Sequence, residues 1–171
     1  ARTRKAIKHI FGQVDLRAPA VPISKAQLLL IREQLDLSDL KHAMFWLGCL
    51  LGFQALLRAS EFCGGSLRWK HVKQITGGVR LCVPYSKTKL TPHLVSVVTD
   101  GGDFCVLRAI MLVLQLQGKV QQTEAVVQLS YDQFNTMLKR SYAKAVGDPL
   151  GFSLTCSSLR HPSRYIDLSD M

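Results

Sequence analysis

Arg58 follows the most apolar part of the sequence, a position where an arginine needs an anionic partner. From Ala43 to Leu57 the only strongly polar residue is Gln54, which predicts a buried core helix that is too short to span a bilayer. A guanidinium fixed at the end of such a helix requires an opposite charge. Glu61, one helical turn further on, would supply it internally, and a phosphate would supply it from outside. Both alternatives stay open on these residues alone.

A long stretch of the chain contains basic residues and no acidic ones. Between Glu61 and Asp100 lie Arg68, Lys70, Lys73, Arg80, Lys87 and Lys89. The whole chain has a formal net charge of +10 and a pI of about 9.7. This charge favours a polyanionic partner. Nucleic acid is favoured over a membrane surface, since the sequence shows no basic amphipathic helix or spanning segment. A solvated basic face that serves solubility explains the same run equally well.

The composition is typical of one globular domain inside the cell. The 171 residues are 47% hydrophobic and 20% charged, which suits a single domain with a substantial core. The five cysteines are scattered and form no CxxC pair. That pattern indicates reduced cysteines in an intracellular protein, without a disulfide framework or a zinc site. We therefore expect neither a metal nor a cofactor.

Several polar residues mark the starts of helices. Ser24 with Gln27, and Ser130 with Gln133, have the spacing of a capping box, in which each side chain bonds the backbone of the other residue. Asp39 and Asp103 each predict a further helix start. The residues that follow the second box at helical spacing are expected in the core rather than on a base-stacking surface; they are Tyr131, Phe134, Leu138 and Tyr142.

The hydrophobic period changes to two after Trp69. The alternation between residues 72 and 98 predicts a small antiparallel sheet of at most three strands. The expected fold is therefore mostly α with a small antiparallel β-sheet (α+β). We expect residues 1–12 to end a preceding helical domain, residues 13–22 to form a linker, and residues 23–171 to form the main domain.

Four short motifs resemble the catalytic domain of tyrosine recombinases, the phage-integrase-like family. They occupy residues 57–61, 67–72, 85–89 and 157–160. The corresponding family patterns are Leu-Arg-x-Ser-Glu, Leu-x-Trp-x-x-Val, a Lys-Thr at a hairpin tip, and His-x-x-Arg. The chain is similar in character to the recombinases of eukaryotic mobile elements of the DIRS and Ngaro kind. The resemblance covers residues 23–165 and implies that residues 1–12 end the family's core-binding domain.

The resemblance implies a chemistry for particular residues. In the family, a tyrosine attacks a DNA phosphate in a transesterification that uses no metal. Arg58 and Arg160 would be the two arginines that stabilise charge on the phosphate oxygens, and Lys87 would protonate the leaving oxygen. Glu61 would support Arg58 without a catalytic role. The DNA-binding residues would be Arg68, Lys70, Lys73 and Lys89.

Two departures from the family pattern bear on activity. Ser157 stands at the family's histidine position, and a hydroxyl neither carries charge at neutral pH nor transfers protons as imidazole does. The family's nucleophilic tyrosine follows the second arginine by some tens of residues, whereas Tyr165 lies only five positions after Arg160 and the sequence ends at Met171. We therefore expect this chain to lack the catalytic end and to bind DNA without cleaving it.

The expected function is that of a DNA-binding recombinase-like or integrase-like domain in the nucleus, with DNA recombination and integration as its ancestral role. Double-stranded DNA is the expected partner and a membrane is not; assembly into a homo-oligomer on DNA stays open. Two alternatives remain. One is a non-catalytic DNA-binding module domesticated from a mobile element, and the other is a helical protein-interaction domain. The sequence does not decide whether enzymatic activity persists.

Overall fold

The computed structural model describes residues 22–84, 91–147 and 156–160. In chain order its elements are α1 (Lys25–Glu33), α2 (Leu40–Phe53), α3 (Ala59–Phe62), the 3₁₀ helix η1 (Trp69–His71), β1 (Val72–Ile75), β2 (Gly78–Val83), β3 (His93–Val98), α4 (Val106–Gln117), α5 (Tyr131–Val146) and the 3₁₀ helix η2 (Cys156–Arg160). Helices with one small antiparallel sheet confirm the expected α+β class. The expected domain end at 1–12 and nearly all of the linker lie outside the described residues, as do Lys87, Lys89 and Tyr165.

Helix α2 is the centre of the hydrophobic core. It begins after Asp39, whose carboxylate accepts the backbone N–H of Lys41 at 2.8 Å, as the sequence predicts. Every residue from Ala43 to Phe53 is buried, because the helix packs against α4, α5 and η2 on different sides. The predicted helix nevertheless extends too far. It ends at Phe53 rather than at Leu57, and the chain turns before Arg58.

The two predicted capping boxes are both present. Ser24 Oγ accepts the Gln27 N–H at 3.1 Å at the start of α1, and the Ser130 and Gln133 pair has the same geometry at the start of α5. Each box satisfies N–H groups that have no partner within the helix. On α5 the aromatic ring of Phe134 lies 5.2 Å from that of Phe45 on α2, so this helix is fixed against the core.

Two expectations for the helices are wrong. Asp103 does not cap α4, because its carboxylate lies 3.5 Å from the guanidinium of Arg32, and Cys105 takes the capping position. Tyr131 is 48% exposed rather than in the core, since it lies in the first turn of α5, where its hydroxyl interacts with the Cys156 thiol. Phe134, Leu138 and Tyr142 are buried as expected.

The sheet has the strand order β1-β2-β3, and both pairs are antiparallel. One face of β2 is buried through Val79, Leu81 and Val83. On the opposite face, Lys73 of β1 lies directly across from Arg80 of β2. Strand β2 ends before Pro84, which has no N–H to continue the ladder.

Candidate functional site

The candidate site is built on a reversal of the chain between α2 and α3. Leu56 has a φ of 59°, in the left-handed region that costs a residue with a Cβ about 1–2 kcal/mol. The reversal allows the Leu57 N–H to donate to the Leu51 carbonyl at 3.1 Å, which satisfies an acceptor at the end of α2. It also places Arg58 immediately before α3.

Arg58 is held by a buried carboxylate. Glu61 is 4% exposed, and its Oε1 accepts a hydrogen bond from Arg58 Nη1 at 3.4 Å. An isolated buried carboxylate would cost several kcal/mol, so the pair fixes the guanidinium in place. The side chain of Arg58 is still 36% exposed, and solvent or a ligand can therefore reach it.

Arg160 reaches the same turn from the far end of the described chain. Its Nε donates to the Leu56 carbonyl at 2.6 Å. Because Leu56 precedes Arg58 by two residues, this bond brings both arginines to one reversal of the backbone. The guanidinium is planar and its N–H donors have fixed directions within it. A hydrogen bond through Nε therefore also orients the other donors.

Close packing against α2 positions the helix η2 that carries Arg160. A Cβ at Gly52 would lie 3.0 Å from the Leu159 Cβ and 3.1 Å from its Cδ1, so any larger residue would press Leu159 and η2 outward. The Ser158 carbonyl accepts the Ile23 N–H at 3.2 Å, which ties η2 to the segment before α1. Arg160 is therefore held through its neighbours as well as through its own side chain.

Ser157 is exposed on η2, three residues before Arg160. The adjacent Cys156 is buried, and burial raises the pKa of its thiol to about 11; burial also raises the pKa of Cys63 to about 12. These thiols are protonated at neutral pH and are poor nucleophiles. Among the described residues no three His, Cys, Asp or Glu side chains form a group that could hold a metal ion.

The other predicted DNA-binding residues lie around η1 and the sheet. Arg68, before η1, donates from its Nε to the Gly65 carbonyl and from its Nη1 to the Thr123 carbonyl, at 3.3 and 3.4 Å. Lys70 is exposed on η1 and Lys73 is exposed on β1. Like charges directly opposite each other destabilise a sheet, so the Lys73 and Arg80 pair would gain from a nearby anion.

Sequence reasoning did not find three groups on which the site depends. They are the Leu56 carbonyl, Gly52 and Leu159. Gly48 and Gly52 occur four residues apart in an apolar helix, which is a recognisable signal of close packing on one helix face. A backbone carbonyl in a turn with positive φ has no such signal, because leucine is an uncommon residue in that conformation.

The resulting arrangement suits the binding of one oxyanion. The Nε of Arg160 bonds the turn that precedes Arg58, and the carboxylate that pairs with Arg58 is buried. Paired arginines bind phosphate oxygens through short, charge-assisted hydrogen bonds. In the described part of the chain, no helix has the length and apolar character needed to cross a membrane. Comparison of the sequence with models of protein families and with curated proteins finds no match.

Proposed function

We propose that this chain is a DNA-binding domain related to the catalytic domain of tyrosine recombinases, with Arg58 and Arg160 holding one backbone phosphate. The observation that carries the proposal is the 2.6 Å bond from Arg160 to the Leu56 carbonyl. It brings Arg160 to the backbone turn two residues before Arg58, and the family resemblance assigns these two arginines, far apart in sequence, to one phosphate. A coincidental likeness of short motifs gives no reason for that contact.

The charges at the turn support an anionic ligand. Glu61 carries one negative charge, whereas Arg58 and Arg160 carry two positive charges. An anion at this turn would add charge-assisted hydrogen bonds to these arginines, and a DNA phosphate supplies such an anion at every nucleotide. The net charge of +10 would attract the duplex over a longer range.

The proposal gives the remaining basic residues a supporting role. Arg68, Lys70 and Lys73 would contact phosphates beside the central one, and such contacts position a duplex without reading its sequence. Lys87 and Lys89 would contribute from the segment between β2 and β3. A domain of this kind would act in the nucleus, and its ancestral reaction would be DNA recombination and integration.

We propose binding without strand cleavage because of Ser157. A serine hydroxyl can donate a hydrogen bond to a phosphate oxygen, but it does not exchange protons near neutral pH as a histidine does. A DNA substrate that traps a covalent phosphotyrosine should therefore remain unmodified by residues 1–171. Covalent trapping would overturn this part of the proposal and leave the binding part intact.

The binding experiment compares two charge-neutralising variants with a matched control. Arg58→Gln and Arg160→Gln should each weaken binding to a short duplex about 10-fold or more, since charge-assisted hydrogen bonds contribute about 1.5–3 kcal/mol. Each should also make the slope of log K against log salt concentration shallower, by the contribution of about one phosphate contact. Arg108→Gln is the control, because Arg108 also donates to a backbone carbonyl, that of Gly101 at 3.0 Å.

The result for the control decides the interpretation. Equal weakening by Arg108→Gln would show that total charge, and not the turn, determines affinity, and the proposed phosphate site would be rejected. The double variant Arg58→Gln/Arg160→Gln adds a second criterion. Two arginines on one phosphate should have non-additive effects, whereas arginines on separate phosphates should have additive ones.

One observation favours the alternative of a protein-interaction domain. Leu94 and Val98 on β3 are 64% and 81% exposed, on the same face of the sheet as Lys73 and Arg80. Exposed apolar residues of this kind can mark a contact with another protein. Under the DNA-binding proposal, Leu94→Ser/Val98→Ser should lower duplex affinity far less than Arg58→Gln does, because it removes no charge, whereas it would abolish a protein contact at this face.

A further inference from the structure

A second group of basic residues lines a cleft at the opposite end of α2. The cleft has a volume of about 480 Å³ and lies between the start of α2, the segment before it and the second half of α5. Lys41 and His42 line it from α2, and Arg140 and Lys144 line it from α5. We call these four residues and the space between them the cationic cleft.

Among the described residues, no carboxylate pairs with the lysines and the arginine of the cationic cleft. None of the residues that line it is acidic, and within the described ranges Lys41, Arg140 and Lys144 form no ion pair with a carboxylate. On the α2 side, the two nearest acids in sequence already accept hydrogen bonds. Asp36 accepts hydrogen bonds from the backbone and hydroxyl of Ser38, and Asp39 accepts the Lys41 N–H.

The positions of Lys41, Arg140 and Lys144 relative to other basic groups and to the helix ends bear on anion binding. Arg140 and Lys144 are four residues apart on α5, so they are neighbours of like charge on one helix face. Lys41 and His42 lie in the first turn of α2, which contains no acidic residue, at the positive end of the helix dipole. Lys144 alone gains from its own helix, because it lies in the last turn of α5.

His42 lines the cleft and has one ring nitrogen bonded to the backbone. Its Nδ1 accepts the backbone N–H of Asp36 at 2.9 Å. In the neutral ring the proton is therefore on Nε2, the other nitrogen, which donates. The ring is half-buried, and the backbone contact fixes its direction. Lys41, Arg140 and Lys144 would add ammonium and guanidinium donors around the same space.

We propose that the cationic cleft is a binding site for a small anion of linked phosphate groups. Its volume lies within the range of about 300–1,000 Å³ that is usual for small-ligand sites. Three cationic side chains and one imidazole come from two elements and line one concave space, which matches several negative charges held close together. A nucleic-acid strand is instead matched by charges spread along an extended track.

Calorimetric titration with sodium tripolyphosphate tests the proposal directly. The unmodified chain should bind one equivalent at the cleft, and Arg140→Gln/Lys144→Gln should weaken that binding at least 10-fold. Arg108→Gln/Lys119→Gln removes the same charge from exposed positions away from the cleft and should change the affinity less than threefold. Arg58→Gln/Arg160→Gln should retain the cleft binding, so failure here is distinct from failure of the proposed DNA site.

The histidine signals in NMR spectra locate the bound anion. The imidazole of His42 should shift during the tripolyphosphate titration. That of His71 should not, although its Nδ1 makes an equivalent bond to the Arg68 N–H at 3.0 Å. Equal weakening by the two charge-matched double variants, or an unshifted His42 at saturation, would overturn the proposal. A His42 shift with duplex DNA but not with tripolyphosphate would overturn it in favour of a strand contact.

Discussion

The two ends of α2 carry positive charge in two different ways. After its C-terminus, Arg58 is paired with a buried carboxylate and Arg160 is bonded to a backbone carbonyl. At its N-terminus, Lys41, Arg140 and Lys144 of the cationic cleft form no ion pair with a carboxylate among the described residues, and all three are exposed. The first end holds its charges through contacts within the protein, whereas the charged side chains at the second end are exposed to solvent.

This difference indicates what each end can bind. Fixed guanidinium groups recognise one oxyanion in a defined orientation, since their donors need no rearrangement on binding. Lysine ammonium groups on flexible stems neutralise charge with little demand on geometry. The proposed DNA phosphate therefore belongs at the Arg58 end, and an anion of variable shape belongs at the Lys41 end.

The largest stability effect should come from removing the carboxylate that distinguishes the two ends. Glu61→Gln keeps the size of the side chain but leaves Arg58 without its counter-charge. Water reaches part of the guanidinium and screens the loss, so we expect the free energy of unfolding to fall by about 1–2 kcal/mol. Urea denaturation would measure this fall. A duplex-binding titration should also show weaker DNA binding, because Arg58 would be misplaced.

Glu33→Gln is the matched control for this variant, because Glu33 is an exposed glutamate at the end of α1. Its effect on stability should stay within about 0.5 kcal/mol. If both variants lose the same stability, the Arg58 end is no more dependent on its carboxylate than any exposed site. The contrast between the two ends would then disappear.

A smaller effect should come from Gly52→Ala, which acts on the geometry of the Arg58 end alone. Alanine favours a helix over glycine by about 1 kcal/mol, but its Cβ would press on Leu159, so the net stability should change by less than about 1 kcal/mol. DNA affinity should still fall several-fold, because η2 and Arg160 move away from Leu56. Tripolyphosphate binding at the cationic cleft should be unchanged.

A double variant checks the cause of that loss. Adding Leu159→Ala removes the atoms that the new Cβ would touch, so the two substitutions should couple by about 0.5–3 kcal/mol in a thermodynamic cycle. Strict additivity of the two stability changes would mean that contact between positions 52 and 159 does not set the place of Arg160.

The smallest effect concerns the other end and depends on pH. Hydrogen bonds from Ser38, and then the nearby His42, lower the pKa of Asp36 below its ordinary value of 3.8. A lowered pKa in the folded state means that Asp36 stabilises the fold above about pH 4, and that this contribution is lost as the pH falls through the folded-state value. In Asp36→Asn, the melting temperature should therefore fall less steeply with decreasing pH below pH 4 than it does in the unmodified chain. An unchanged pH dependence of the melting temperature below pH 4 would contradict this role.

The sequence was informative wherever the structure depends on neighbouring residues. The capping boxes at Ser24 and Ser130 and the alternation along β2 involve contacts within a few positions, and the structure has them as predicted. Predictions were wrong where a side chain contacts a residue that is distant in sequence, or where tertiary structure ends a helix. Asp103 pairs with Arg32 instead of capping α4, and apolar composition alone did not reveal that α2 ends at Phe53.

The candidate site shows the same limit more strongly. The spacing of Arg58 and Glu61 made an ion pair between them foreseeable, because residues three apart are neighbours on a helix. The family resemblance, and no local pattern, linked Arg58 to Arg160. The cationic cleft was not foreseen at all, since Lys41 and Arg140 become neighbours only after α2 and α5 pack together.

The bond between Arg160 and Leu56 joins residues 104 positions apart. Closing so long a span loses chain entropy, so the bond forms only once the intervening core has assembled. A ligand that needs both arginines therefore binds the folded chain and has little affinity for partly folded chains. Such a ligand should also raise the melting temperature, since it binds the native state selectively.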